Sequence, residues 1–212
     1  MDQQKLQLYI TRFFLLLLFT AVIGNIIAQN WLNLFTSILA IILIYLPSYI
    51  TDKNYLRIPT GLQFVIIVFI FFSMYLGEQR EFYYHFWWWD SMLHLIYGMG
   101  MGVIGFVMVY ILNKNENIDV FLSPIFIAVF AFSFAVTIGV FWEIFEFWID
   151  TIFGLNMQKS GLFDTMFDLM EDCVGALITS IIGYFYIKTK RPSRFQQYLS
   201  EILEKNKKLF KK

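Results

Sequence analysis

Residues 123–149 read SPIFIAVFAFSFAVTIGVFWEIFEFWI. The uncharged stretch before Glu143 already supplies the roughly 20 apolar residues that a helix needs to cross a bilayer. Ser123 suits a helix N-cap, and Pro124 suits the first helical position, where its missing N–H is not needed. The segment therefore reads as a membrane-spanning helix. Two glutamates, Glu143 and Glu146, then lie near its far end among apolar neighbours, VFWEIFEFW. A charged side chain in hydrocarbon costs about 2.5–3.5 kcal/mol on insertion scales, so these two residues call for a physical reason.

The rest of the chain has the same character. Of 212 residues, 58% are hydrophobic, 20% aromatic and only 15% charged, whereas a soluble domain is about half apolar and about a quarter charged. Further spans are expected at about 8–28, 31–50, 60–77 (entered through Pro59 and Thr60), 91–112 and 163–187. The first apolar run is longer than a secretory signal's and lacks a small-x-small cleavage site, so it counts as a span. The fold class is an all-α polytopic membrane helix bundle of about six transmembrane helices. With one cysteine, Cys173, no intramolecular disulfide is possible. The pattern G-x-G-x-G-x-x-G at 98–105 lies inside an apolar helix with no strand before it, so its role is packing, not dinucleotide binding. No nucleic-acid signature is present, and no oligomeric state is specified.

Charge placement orients the bundle. Arg80 and Lys159 fall on one side of the spans, and the other fourteen of the sixteen basic residues fall on the opposite side. The excess of Lys and Arg on cytoplasmic segments places both termini in the cytoplasm. Trp87, Trp88, Trp89, Tyr83 and Tyr84 form an aromatic belt at the outer interface. The expected organisation is three apolar scaffold spans in 1–77, three polar-bearing spans in 78–187, and a basic amphipathic cytoplasmic tail in 188–212 that suits an anionic membrane surface. The expected location is the cell (plasma or inner) membrane, with the lipid bilayer as the first partner.

The polar residues of the last three spans fall into stripes at helical spacing. In span four these are Asp90, His94, Gly98, Gly102 and Gly105. In span five they are Ala131, Ala135, Gly139, Glu143, Glu146 and Asp150. In span six they are Asp164, Asp168, Asp172, Gly175, Ala176, Thr179 and Gly183. Each stripe is acidic at one end and small at the other, and small residues let membrane helices approach closely. The alternating direction of the spans brings all three acidic ends to the extracytoplasmic side.

Crowded carboxylates need a bound cation, shared protons or water. A divalent metal ion (Mg, Mn, Fe or Zn) is the simplest remedy, with His94, Glu143, Glu146, Asp172 and Asp164 as ligands and Asp90 or Asp168 as the general base. Taken singly, several acids also have plain roles: Asp90 and Asp164 as helix caps, Asp150 as a solvated interfacial residue. His85 reads as interfacial, Cys173 as a small packing residue, and Lys159 as the basic residue nearest the acids in sequence.

The combination WWDSMLH (88–94), GVFWEIFEFWID (139–150) with GLNMQ (154–158), and DTMFDLMEDCVGA (164–176) resembles the YjdF-like family of bacterial inner-membrane proteins over roughly residues 78–187. It is more loosely similar to VanZ-like membrane proteins, which carry Asp-x-x-x-His near a helix start and a glutamate pair in a later span; here Glu146 stands where that pattern tends to have Gln. The resemblance implies a helical membrane fold, a cell-envelope setting, and matching positions at Asp90, His94, Glu143, Glu146, Asp164, Asp168 and Asp172, but no reaction. Three functions fit the residues: a metal-dependent hydrolase or transferase on a lipid or lipid-linked envelope precursor, a proton- or cation-coupled transporter, and a non-catalytic envelope factor with a structural cation site.

Overall fold

Apolar runs that must satisfy every backbone N–H and C=O within hydrocarbon can do so as helices, and the computed structural model is helical accordingly. It describes residues 3–53, 58, 60–113 and 122–189. The helices are α1 (Gln3–Ile27), α2 (Trp31–Asp52), α3 (Thr60–Ile70), α4 (Phe82–His85), α5 (Trp89–Asn113), α6 (Pro124–Phe153) and α7 (Leu162–Thr189). α3 continues as a π-helix over Phe71–Gln79, a widening the sequence did not signal. Short α4 overlaps the aromatic belt at Tyr83 and Tyr84.

Among the described residues, five helices are long and apolar enough to cross a membrane: 5–27, 31–52, 60–79, 89–110 and 124–153. α7 brings the number to about six. Its acids at 164, 168, 171 and 172 shorten its apolar run to the stretch from Cys173 onward. Pro59 and the basic tail beyond Thr189 lie outside the described residues.

The chain forms two compact units that divide between Trp89 and Asp90. In the first, Leu18, Ala40, Ile44, Ile67, Phe71 and Tyr75 pack into an apolar core. Ser37 is fully buried there; its hydroxyl accepts from Gln79 Nε2 at 2.8 Å and Asn25 Nδ2 at 3.2 Å and donates to Asn33 O. The polar groups at this end of the first unit thus satisfy one another.

The second unit carries the stripes. Ser123 caps α6 by accepting from Phe126 N, with Pro124 at the helix start. α6 buries Ala131, Ala135, Gly139, Glu143 and Glu146, while Phe141, Phe145 and Trp148 are exposed, as suits a face turned to lipid. α7 buries Asp168, Asp172, Gly175, Ala176, Thr179 and Gly183. Two glycines set the spacing of α5 and α7. A Cβ on Gly98 would collide with the backbone of Asp172, and one on Gly175 with the backbone of Leu95 and Met99. On α6, a Cβ at Gly139 would collide with Asp172 Oδ2. Below this level Thr179 Oγ1 donates to Met99 O at 3.1 Å and Gly183 lies under the Phe106 ring, so the far half is close-packed.

Candidate functional site

His94 is the hub of the second unit. It lies one turn into α5 beyond Asp90, and its exposure is 9%. Nδ1 faces Asp172 Oδ1 at 3.3 Å, within hydrogen-bond reach. Nε2 faces Asp168 Oδ1 at 3.8 Å and Asp90 Oδ1 at 3.9 Å. Asp90, His94 and Asp168 can each offer one ligand atom, and these atoms lie within 4.8 Å of one another. The spacing follows from helix geometry: Asp90 and His94 stand at i, i+4 on α5, Asp168 and Asp172 at i, i+4 on α7, and the Gly98–Gly175 approach brings the pairs together.

α6 supplies the remaining carboxylates. Glu143 is 4% exposed and both its oxygens are buried without a hydrogen bond. The Thr165 hydroxyl approaches it without reaching hydrogen-bond geometry. Glu143 is within electrostatic range of His94, Asp172 and Asp164, and Glu146 of Glu143, His94, Asp90 and Asp164. Trp142 Nε1 donates to Glu146 Oε1 at 3.0 Å. Asp172 is 1% exposed, and its Oδ2 also has no hydrogen-bond partner. All seven residues singled out in the sequence therefore share one cluster.

A family model described as "Predicted membrane protein (DUF2238)" matches residues 9–189. The chain belongs to the DUF2238 family of membrane proteins. An uncharacterised protein of Thermotoga maritima is similar to it, 32% identical over 149 residues that make up 69% of this chain and 72% of that one. No solved structure matches the chain. The match takes in every residue of the cluster and agrees with the YjdF-like resemblance. This DUF2238 member is thus a multi-pass protein of a lipid bilayer.

Several groups in the DUF2238 cluster hold positions the sequence did not assign. α5 begins at Trp89 and α7 at Leu162, so Asp90 and Asp164 lie in the first helical turns and neither is an N-cap. Asp150 is more than a solvated end residue: Oδ1 accepts from Met157 N at 2.7 Å and Oδ2 from Gln158 N at 2.8 Å. Gln158 Nε2 in turn donates to Thr165 Oγ1 at 2.7 Å. These bonds fold residues 154–161 back over the helix ends and bring Lys159 Nζ onto Asp90 Oδ2. Lys159 also faces Asp164. His85, in the first unit, has Nδ1 against Glu81 O at 2.8 Å. The i, i+4 pair Trp142–Glu146 was detectable from spacing. Lys159 was not, because a loop's path has no periodicity to read.

The donor set fits a divalent cation. One imidazole among carboxylates suits Mg, Mn, Fe or Zn, and buried carboxylate oxygens without partners are the acceptors such an ion would satisfy. Leaving one buried acceptor unmet costs about 1–3 kcal/mol, more when it is charged.

Proposed function

We propose that this protein binds a divalent cation at the Asp90–His94–Asp168 triad and uses it as a hydrolase or transferase on a lipid or lipid-linked envelope precursor. The observation that carries the reading is Glu143, whose carboxylate is buried beside the triad with only the Thr165 hydroxyl approaching it and no well-formed hydrogen bond to either oxygen. A cluster that existed only to cap helices would not bury an acid that caps nothing.

In this reading Asp90, His94 Nε2 and Asp168 would hold the ion, and Glu143 would complete the set. Asp90 and Asp168 move from the base role expected of them to the ligand role, because both present an oxygen to the same imidazole nitrogen. Asp172 orients the ring through Nδ1, as partners of metal-bound histidines commonly do. Asp164 lines the approach beside Lys159. Glu146, with one oxygen held by the Trp142 indole, would be the group placed to accept a proton from water. The bound ion would polarise a phosphoryl oxygen or lower the pKa of that water. The excess of Lys and Arg on the other side of the spans supports an extracytoplasmic site with both termini in the cytoplasm.

A transporter would need a polar route through the other half of the bundle. The close packing of Gly102, Thr179, Gly183 and Phe106 there weighs against one.

The test is metal analysis of the full chain purified in detergent, beside a Glu143→Gln, Glu146→Gln double variant checked for helical content. Stoichiometric metal in the first and loss in the second support the site, and lipid-phosphate hydrolysis or transfer is then assayed. If neither protein retains metal after incubation with Mg, Mn or Zn, the metal reading fails. Metal binding with no turnover on any lipid phosphate would leave a structural cation site.

A further inference from the structure

Lys159 is the cation that the fold itself brings to the cluster. Residues 90–189 contain no arginine, and of their described lysines Lys188 sits at the other end of α7, on the Tyr184 hydroxyl. Lys159 donates to Asp90 Oδ2, while Oδ1 of the same carboxylate faces His94 Nε2. Asp90 is thus shared between the triad and a lysine from another element. The two side chains are 21% and 22% exposed, against 6% and 1% for Asp168 and Asp172, so the pair sits at the rim and the rest lies beneath it.

The loop that presents Lys159 is held independently of the ammonium. Asp150 binds the backbone N–H of Met157 and of Gln158, the Gln158 amide binds Thr165, and Gly154 and Gly161 take left-handed conformations at the two ends. The ammonium can therefore leave Asp90 by rotation about its own flexible stem while the loop stays in place. A cation seated on the triad would share Asp90 with Lys159 at close range, and like charges that near repel. Once displaced, the ammonium remains tethered above a cluster of acids, as a donor for an anion brought to the ion.

Resting on the divalent-cation reading above, we propose that Lys159 is the substrate-recognition residue of this site: the tethered counter-ion of Asp90 in the absence of a divalent cation, and the donor to a substrate's phosphoryl oxygens in its presence.

The experiment is a Mn(II) titration of the full chain in detergent for the wild type, Lys159→Gln and Lys159→Arg, with thermal unfolding recorded on each. Inorganic phosphate and a short-chain phosphatidic acid are then titrated onto the Mn-loaded proteins. Removing the competing charge should tighten Mn(II) binding in Lys159→Gln by about tenfold, with Lys159→Arg near the wild type. Binding of the phosphate probe to the loaded protein should fall by about tenfold or more in Lys159→Gln only. Preference for phosphatidic acid over inorganic phosphate assigns the group to a lipid, and equal binding assigns it to a free phosphate. Unchanged or weaker Mn(II) binding in Lys159→Gln, or unchanged phosphate binding, overturns the proposal and leaves the cation site standing. Absence of Mn(II) binding in every protein removes both.

Discussion

Glu143 is the residue at which the physics is most exposed. Its neighbours are apolar in sequence, its carboxylate is buried, and neither oxygen makes a well-formed hydrogen bond, the Thr165 hydroxyl only approaching it. Replacing it by glutamine removes a candidate charge while keeping the shape. In cation-free detergent, Glu143→Gln should raise stability, because the amide carries no charge to be repelled by Asp164 and Asp172, read as a higher unfolding temperature. With Mn(II) present the order should reverse, because the ligand would stabilise only the protein that binds it. A loss of stability in the cation-free variant would mean that Glu143 has a protein partner. Trp142→Phe removes one indole donor from Glu146 and should cost about 0.5–1.5 kcal/mol, measured by chemical unfolding, with a larger effect on turnover than on cation affinity. The likeness of these acids in sequence hid their different situations. His94 Nδ1 and Nε2 face different carboxylates, and only packing tells them apart.

At the scale of elements, the site depends on how closely α5 and α7 approach. Gly98 and Gly175 each meet the other helix's backbone, so any side chain there pushes apart Asp90–His94 and Asp168–Asp172. Gly98→Val should destabilise the protein by about 1–3 kcal/mol or more and abolish Mn(II) binding without touching a ligand. Retained binding would show that the triad tolerates a wider helix gap. The connection between α6 and α7 is a second such element. Asp150→Ala removes both backbone hooks, at a cost of about 1–3 kcal/mol. It should make the segment 154–161 cleavable in limited proteolysis while leaving α6 and α7 intact. The stripes on these helices were legible because 3.6-residue periodicity places i, i+3 and i+4 on one face. The π-helix after α3 and the short α4 were not, since neither has a pattern distinct from the apolar or aromatic runs that contain it.

For the whole molecule, charge distribution makes a prediction about topology. On a background in which Cys173 is replaced by Ala, Ser160→Cys should react with a membrane-impermeant maleimide added to intact cells, and a cysteine introduced at Lys188 should react only after permeabilisation. The opposite pattern would invert the bundle and move the cluster to the cytoplasmic side. The protein's membrane class, its number of spans of about six, and the set of acids that share a level follow from local composition and periodicity, which act on the chain before any tertiary contact forms. Which carboxylates surround His94, that Asp150 ties down a loop, and that Lys159 returns to Asp90 are decided only by the folded structure. These groups lie far apart in sequence, and close helix packing at small residues and a single folded loop bring them together.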